Sequence, residues 1–237
     1  MIVIPMAGLS SRFFSAGYKI PKYMLPIDNQ TVFSRSVKSF EKYFDSDEFV
    51  FICRENYNTP EFVHSELKRI GVKNFKISIL KEETKGQAET VVLGLRDYRE
   101  IEDITIFNID TFRPGFDKPL LAKNSRGYLE TFIGEGKNWS NVLPDEFGRV
   151  VKTAEKQEIS NYCCTGLYSF SYFSDLKNAY NAAKNDRALV HNNEYYIAPL
   201  YNYLIKQGYL VNFTIIERRD VIFCGTPDEY SELLKIT

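Results

Sequence analysis

Ile2-Val3-Ile4-Pro5-Met6-Ala7-Gly8-Leu9-Ser10-Ser11-Arg12, followed by Pro21-Lys22-Tyr23-Met24-Leu25-Pro26, is the stretch on which the fold turns. A short apolar strand runs straight into a loop of small residues, and an arginine and then a lysine follow. Ala7 and Gly8 let a base or ribose approach the main chain, with Leu9 between them and the serines. Ser10, Ser11 and the nearby amides offer donors to phosphate oxygens, and the planar fork of Arg12 suits a polyphosphate. Pro21 and Pro26 restrict the chain around Lys22, so its ammonium is delivered from a stiff loop and can neutralise charge developing at an α-phosphate. The plainer readings are a solvated turn for the loop and an exposed lysine for Lys22. The loop is neither a Walker motif nor a dinucleotide fingerprint, since no Gly-Lys-Ser or Gly-Lys-Thr occurs.

Outward from this start, apolar strands alternate with helical patterns. Phe49 to Cys53, Phe75 to Leu80 and Ile104 to Ile109 read as strands. Thr31 to Phe44, residues 60–70 and Ala88 to Leu95 read as helices. Buried strands separated by helices predict an α/β fold with a mostly parallel central sheet and helices on both faces. Ligands gather at the C-terminal strand ends of such sheets. The loop after the first strand and Asp110 after the fourth then share one edge.

The pattern changes after Arg113. Tyr128 to Gly134, Val150 to Lys152 and Cys163 to Phe170 read as strands with polar turns, predicting a small antiparallel insertion over the acceptor side of a pocket. Helices are expected at 172–184 and 194–207, strands at Leu210 to Ile216 and Val221 to Cys224, and a closing helix from Pro227 to Leu234. No repeat, low-complexity tract or linker divides the chain. We therefore expect a single domain over 1–237, with 1–112 mainly binding nucleotide and 113–237 mainly binding acceptor.

The formal net charge of −1 and pI of about 6.2 lack the basic excess that a nucleic-acid footprint needs. The four cysteines, Cys53, Cys163, Cys164 and Cys224, have no metal-ligand spacing with a histidine and are read as reduced thiols of a cytoplasmic protein. His64 and His191 make neither a zinc site nor a catalytic triad. The start is neither a signal peptide nor a membrane span, because Arg12 interrupts it. The 18 phenylalanines and 16 tyrosines suit a core or a subunit contact, so a homodimer is compatible with them.

Further candidates lie along the chain. Gly86 permits close ligand approach, Gln87 can pair with a base edge, and the helix start that follows offers N–H groups; an ordinary cap on Thr84 is the plainer alternative. Asp110, at its strand end, is the strongest ligand for Mg²⁺ bridging phosphate oxygens. The second acid is open among Asp220, Glu217 and Glu194, with Asp220 preferred. Lys152, Glu155 and Lys156 fall in the middle excursion on the substrate side, where a charged surface hairpin is the competing reading. Gly166 marks either close packing against substrate or a bend, and Trp139 either a pocket wall or core.

Taken in order, these segments resemble the nucleotidyltransferases that activate sugar phosphates and related phosphomonoesters. Those include the nucleoside-diphosphate-sugar pyrophosphorylases and the choline-phosphate-type cytidylyltransferases, and the likeness is greatest to members in capsule and surface-polysaccharide pathways. The resemblance implies a Rossmann-like, GT-A-like nucleotidyltransferase fold. Residues 7–12 match the phosphate and base loop, Pro21-Lys22 the catalytic lysine motif, Gly86-Gln87-Ala88-Glu89 the base-side segment, and Asp110 the magnesium aspartate. Glu155-Lys156 is similar to the pair that handles the acceptor phosphate, Thr165 to Phe170 to the strand that follows, and Gly225-Thr226-Pro227 to the late turn. Leu9-Ser10-Ser11 replaces a glycine-rich run. Asn108-Ile109 replaces a small residue and glycine. Phe223 stands where sugar-nucleotide enzymes often carry a second metal aspartate. The implied reaction joins a nucleoside triphosphate, CTP before UTP or dTTP, to a small phosphorylated acceptor with release of pyrophosphate. A nucleotide-binding regulator without turnover and a nucleotide-sugar-dependent glycosyltransferase are the alternatives. The latter normally wants an Asp-x-Asp motif, whereas Thr111 follows Asp110.

Overall fold

The computed structural model describes residues 1–186 and 189–236. Strand β1 (Ile2–Pro5) leads through the small-residue loop into a short helix, α1 (Ser11–Ser15). Lys22–Met24 forms a single 3-10 turn, and β2 (Pro26–Ile27) pairs with β3 (Gln30–Thr31) as a small ribbon. Helix α2 (Val32–Val37) is capped by Thr31, whose hydroxyl accepts the Ser34 N–H at 3.1 Å. The helix expected over 31–44 does not run through. It tightens into a 3-10 stretch, Lys38–Tyr43, broken at Phe40, whose ring is fully buried edge-on against Phe107 and Phe116.

Then follow β4 (Phe49–Arg54), α3 (Thr59–Ile70), β5 (Phe75–Leu80), α4 (Gln87–Gly94) and β6 (Ile104–Phe107). β7 (Thr111–Phe112) and α5 (Leu120–Lys123) lead to β8 (Gly127–Ile133), β9 (Ser140–Pro144), β10 (Val150–Glu155) and β11 (Tyr162–Phe170). The chain closes with α6 (Phe173–Ala183), α7 (Tyr201–Lys206), β12 (Val211–Ile216), β13 (Ile222–Phe223) and α8 (Pro227–Ile236).

Among the described residues, nine strands make one mixed sheet. Its main path is β5-β4-β1-β6-β11-β8-β12. β11 runs against both of its neighbours, and the other strands on the path run together. The antiparallel strands therefore continue the central sheet and do not form a separate covering layer. Length explains this. β11 has nine residues and β6 only four, so the first half of β11 projects beyond β6 and takes the β9–β10 hairpin there, Cys163 opposite Asn141. Gly166, with φ +95°, sits where the β11 register shifts.

Alternation along β1 splits the core. Ile2 and Ile4 face a cluster with Phe33, Phe51, Val63 and Phe107, beneath α2 and α3. Val3 faces the opposite cluster with Val50, Ile106, Val91 and Leu176, beneath α4 and α6. With both faces covered, the middle strands bury apolar residues continuously, and the loops at their C-terminal ends are the free edge. The helix expected over 194–207 is shorter than its pattern. Asn192 and Asn193 have positive φ, Pro199 opens a 3-10 turn over Ala198–Leu200, and the α-helix starts only at Tyr201. Among the described residues, no helix is long and apolar enough to cross a membrane.

Candidate active site

At the C-terminal edge of β1 and β6 lies a cleft of about 790 Å³. It brings together Ala7, Gly8, Leu9, Ser11 and Arg12 from the first loop with Lys22, Gly86, Gln87 and Asp110. Its far end is lined by Glu155, Lys156 and Glu194, and Gly166 lies between the two groups. Lys22 donates to Asp110 through its ammonium, and the two side chains are 25% and 17% exposed. Ser10 serves this geometry indirectly. Its backbone is left-handed (φ 52°), and its hydroxyl accepts the Lys22 N–H at 3.2 Å, tying the lysine turn to the first loop. Arg12 is exposed at the rim, and among the described residues it has no acidic partner.

The opposite wall is built on two glycines. A Cβ on Gly86 (φ +116°) would lie 2.7 Å from the carbonyl oxygen of Tyr195. On either side of it, Tyr195 N–H donates to Lys85 O at 2.7 Å, and Ala88 N–H donates to Tyr195 O at 2.9 Å. One amide at the start of α4 is thereby spent on protein. A Cβ on Gly166 would lie 2.4 Å from the Asn108 amide, whose carbonyl accepts from Gln87 at 2.6 Å. Gln87, Asn108 and Gly166 thus form one packed group beside Asp110.

At the far end Glu155 is 7% exposed and accepts a hydrogen bond from Ser140. Burial pushes its carboxyl above the ordinary range, with the Ser140 hydrogen bond and Lys156 opposing and Glu194 adding to the rise. Lys156, at φ 52°, donates to the Tyr196 hydroxyl at 2.8 Å and lies 4.8 Å from that ring's centroid. Burial, and then the Glu194 carboxylate, push the Tyr196 hydroxyl above the usual phenol range. Trp139 and Phe223 wall this end with ring centroids 4.6 Å apart, and the Arg218 guanidinium covers the Phe223 ring at 4.9 Å.

Ser10, Lys152 and Asp220 do not line the cleft. Lys152 is exposed on β10. Asp220 ends a 3-10 turn, where its charge acts on the buried Glu130. Glu229 reaches the place for which Asp220 was named. Its carboxylate and that of Asp110 both lie within 3.7 Å of the point a Cβ on Gly225 would occupy. Glu229 accepts from the Gly225 and Thr226 amides at 2.8 and 2.9 Å, and Thr226 accepts the Glu229 N–H. Thr-Pro-Asp-Glu is a capping box, the signal by which Glu229 was legible. Asn108, Ser140 and Tyr196 carried no comparable signal.

The overall structure is similar to that of a solved protein, the nucleoside-diphosphate-sugar pyrophosphorylase from Vibrio cholerae RC9. It is 48% identical over 99% of this chain and 100% of that one, with a TM-score of 0.95. This chain belongs to the nucleotidyltransferase family of those pyrophosphorylases. Members transfer a nucleoside monophosphate from a triphosphate to a phosphorylated acceptor and release pyrophosphate. The inositol-1-phosphate CTP transferase from T. maritima shares the fold at 18% identity and a TM-score of 0.72, covering 99% of this chain and 94% of that one. A UDP-glucose pyrophosphorylase complexed with UDP-glucose does so at 16% and 0.74, covering 99% and 97%. No protein-family model matches the chain, and no curated protein matches it significantly.

For a nucleotidyltransferase the donor set is chemically apt. Among the described residues no three His, Cys, Asp or Glu side chains converge as a metal centre. Magnesium, however, commonly takes only one or two protein carboxylates and completes its shell with substrate phosphates and water. Asp110, with Glu229 beside it, fits that requirement.

Proposed function

We propose that the chain transfers CMP from CTP to a small phosphomonoester in a magnesium-dependent reaction. The observation that carries this is the meeting of Lys22 and Asp110 in one cleft with the unpaired Arg12. An acceptor phosphate oxygen attacks the α-phosphorus, and pyrophosphate leaves without a covalent enzyme intermediate. Arg12 holds the departing phosphates. Lys22 exchanges its carboxylate partner for the α-phosphoryl oxygens and stabilises the charge that develops there. Asp110, with Glu229 beside it, would hold Mg²⁺, which supplies charge neutralisation at the phosphates when bound. Ala7, Gly8, Leu9 and Ser11 with Gly86 and Gln87 form the nucleotide wall, and Glu155, Lys156, Gly166 and Glu194 the acceptor wall. Residues 1–112 carry most of the first and 113–237 most of the second.

Phe223, in place of the metal aspartate common in sugar-nucleotide enzymes, sets the acceptor end apart from theirs, and CTP is placed before UTP and dTTP as donor. Four buried free thiols and a nucleotide substrate support a cytoplasmic site of action. Precursor synthesis for capsule or surface polysaccharide is the matching role. Pyrophosphate release should be measured with CTP, UTP and dTTP against a panel of phosphorylated acceptors, with and without Mg²⁺. Magnesium-dependent release, fastest with CTP, is expected. Triphosphate binding with no release from any pair would remove the activity, and free nucleoside diphosphate as product would reassign it to glycosyl transfer.

A further inference from the structure

Resting on that reaction, we propose that Arg113 and Glu130 are positioning residues for Asp110, their buried pair holding the turn that presents its carboxylate to the cleft. Asp110 lies on the turn between β6 and β7, and restraints from both flanks of that turn end on Glu130. Downstream, Arg113 follows β7 directly, and its Nε donates to both Glu130 oxygens at 3.1 Å. Upstream, Asn108 N–H donates to Gly166 O at 3.2 Å. Gly166 belongs to the part of β11, between Cys164 and Tyr168, where the register shifts, and Glu130 on β8 stands opposite that shift. Thr165, beside Gly166, donates to Glu130 at 3.1 Å and accepts the Leu167 N–H.

Little else holds the downstream flank. β7 and β13 are two residues each and pair only with one another, a ribbon too short to be rigid alone. The Arg113 N–H adds one bond, to the Ser39 hydroxyl at 2.8 Å. The ion pair itself is costly where it stands. Its side chains are 14% and 4% exposed, and burial pushes the Glu130 carboxyl above its ordinary range, with the Arg113 charge opposing. Apolar side chains of similar volume commonly fill such a place with equal or greater stability. What they lack is directed hydrogen bonding, which fixes the segment after Asp110 in one place. A second pair, Arg126 with Asp175 at the start of β8, is also half-buried but lies away from the cleft, which makes it the internal control.

The test compares Arg113→Met, Arg113→Lys, the double variant Arg113→Met/Glu130→Gln, and Arg126→Met. Three quantities are read: kcat and triphosphate KM for pyrophosphate release, thermal unfolding, and affinity for Mn²⁺ standing in for Mg²⁺. The last is measured with α,β-methylene-CTP present, from the paramagnetic resonance of the free ion. Arg113→Met should lower kcat and weaken Mn²⁺ binding by about tenfold each, with triphosphate KM within about twofold, the scale for losing an outer support of a metal ligand. Arg113→Lys keeps the charge and a donor and should recover part of both losses. The double variant buries neither charge, so it should unfold at a higher temperature than Arg113→Met. Its Glu130→Gln amide still accepts from Thr165, yet kcat and Mn²⁺ affinity should stay low. Arg126→Met should lower the unfolding temperature and leave both at wild-type values. Wild-type kcat and Mn²⁺ affinity in Arg113→Met, or their return with stability in the double variant, overturns the positioning role and leaves the transfer reaction standing. No pyrophosphate from any acceptor overturns the reaction, and the Mn²⁺ titration then decides the positioning role alone. Wild-type protein that binds no Mn²⁺ overturns both.

Discussion

At the sheet edge of the cleft Lys22 and Asp110 satisfy one another, whereas at the far end Glu155 and Glu194 stand as like charges with Lys156 turned to a phenol. Both arrangements place charged groups in a partly desolvated groove, but they are balanced differently. The first pair carries its own counter-charge. In the second, Glu155 is buried and raised by that burial, while Glu194 is exposed to solvent. In the proposed reaction, the chemistry lies at the end where charge is balanced and the acceptor wall at the other.

The sharpest way to break this contrast is at the balanced end. Lys22→Met and Asp110→Asn should each lower kcat for pyrophosphate release by about 10²–10³, the usual cost of removing one preorganised charge stabiliser. The thermal transition should stay cooperative in both. Unchanged kcat in either variant would take that residue out of the mechanism. Between the two ends, Gly166→Ala should destabilise by about 2 kcal/mol, because the backbone is left-handed and the new methyl displaces Asn108. Calorimetry checks the stability, and the triphosphate KM should rise with it, since Asn108 orders Gln87. Asp220→Asn should do least, changing kcat/KM by about twofold or less, as its charge acts on Glu130 outside the cleft. A large loss would put the acid back among the metal ligands.

The parallel half was legible in the sequence because its strands are continuous apolar runs and its loops carry unusual residues. Ile2 to Ile4, Phe49 to Cys53 and the turn around Lys22 each announce themselves locally. The far half was less so. Ser140 to Pro144 has no apolar run, and its strand exists only because β11 outgrows β6 and offers an edge. Tyr196 looked helical by periodicity, yet Asn192 and Asn193 in the left-handed region and Pro199 after it keep the segment extended into the cleft. Asp220 was chosen by its nearness in sequence to Gly225. The turn that ends at Asp220 carries it past the groove, and the capping box brings Glu229 back instead.

The paired amides around Gly86 reach further than their own turn. Tyr195 is held by Lys85 on one side and Ala88 on the other, so the segment bearing Glu194 and Tyr196 cannot slide without tearing two main-chain bonds next to the nucleotide wall. The corner is stapled.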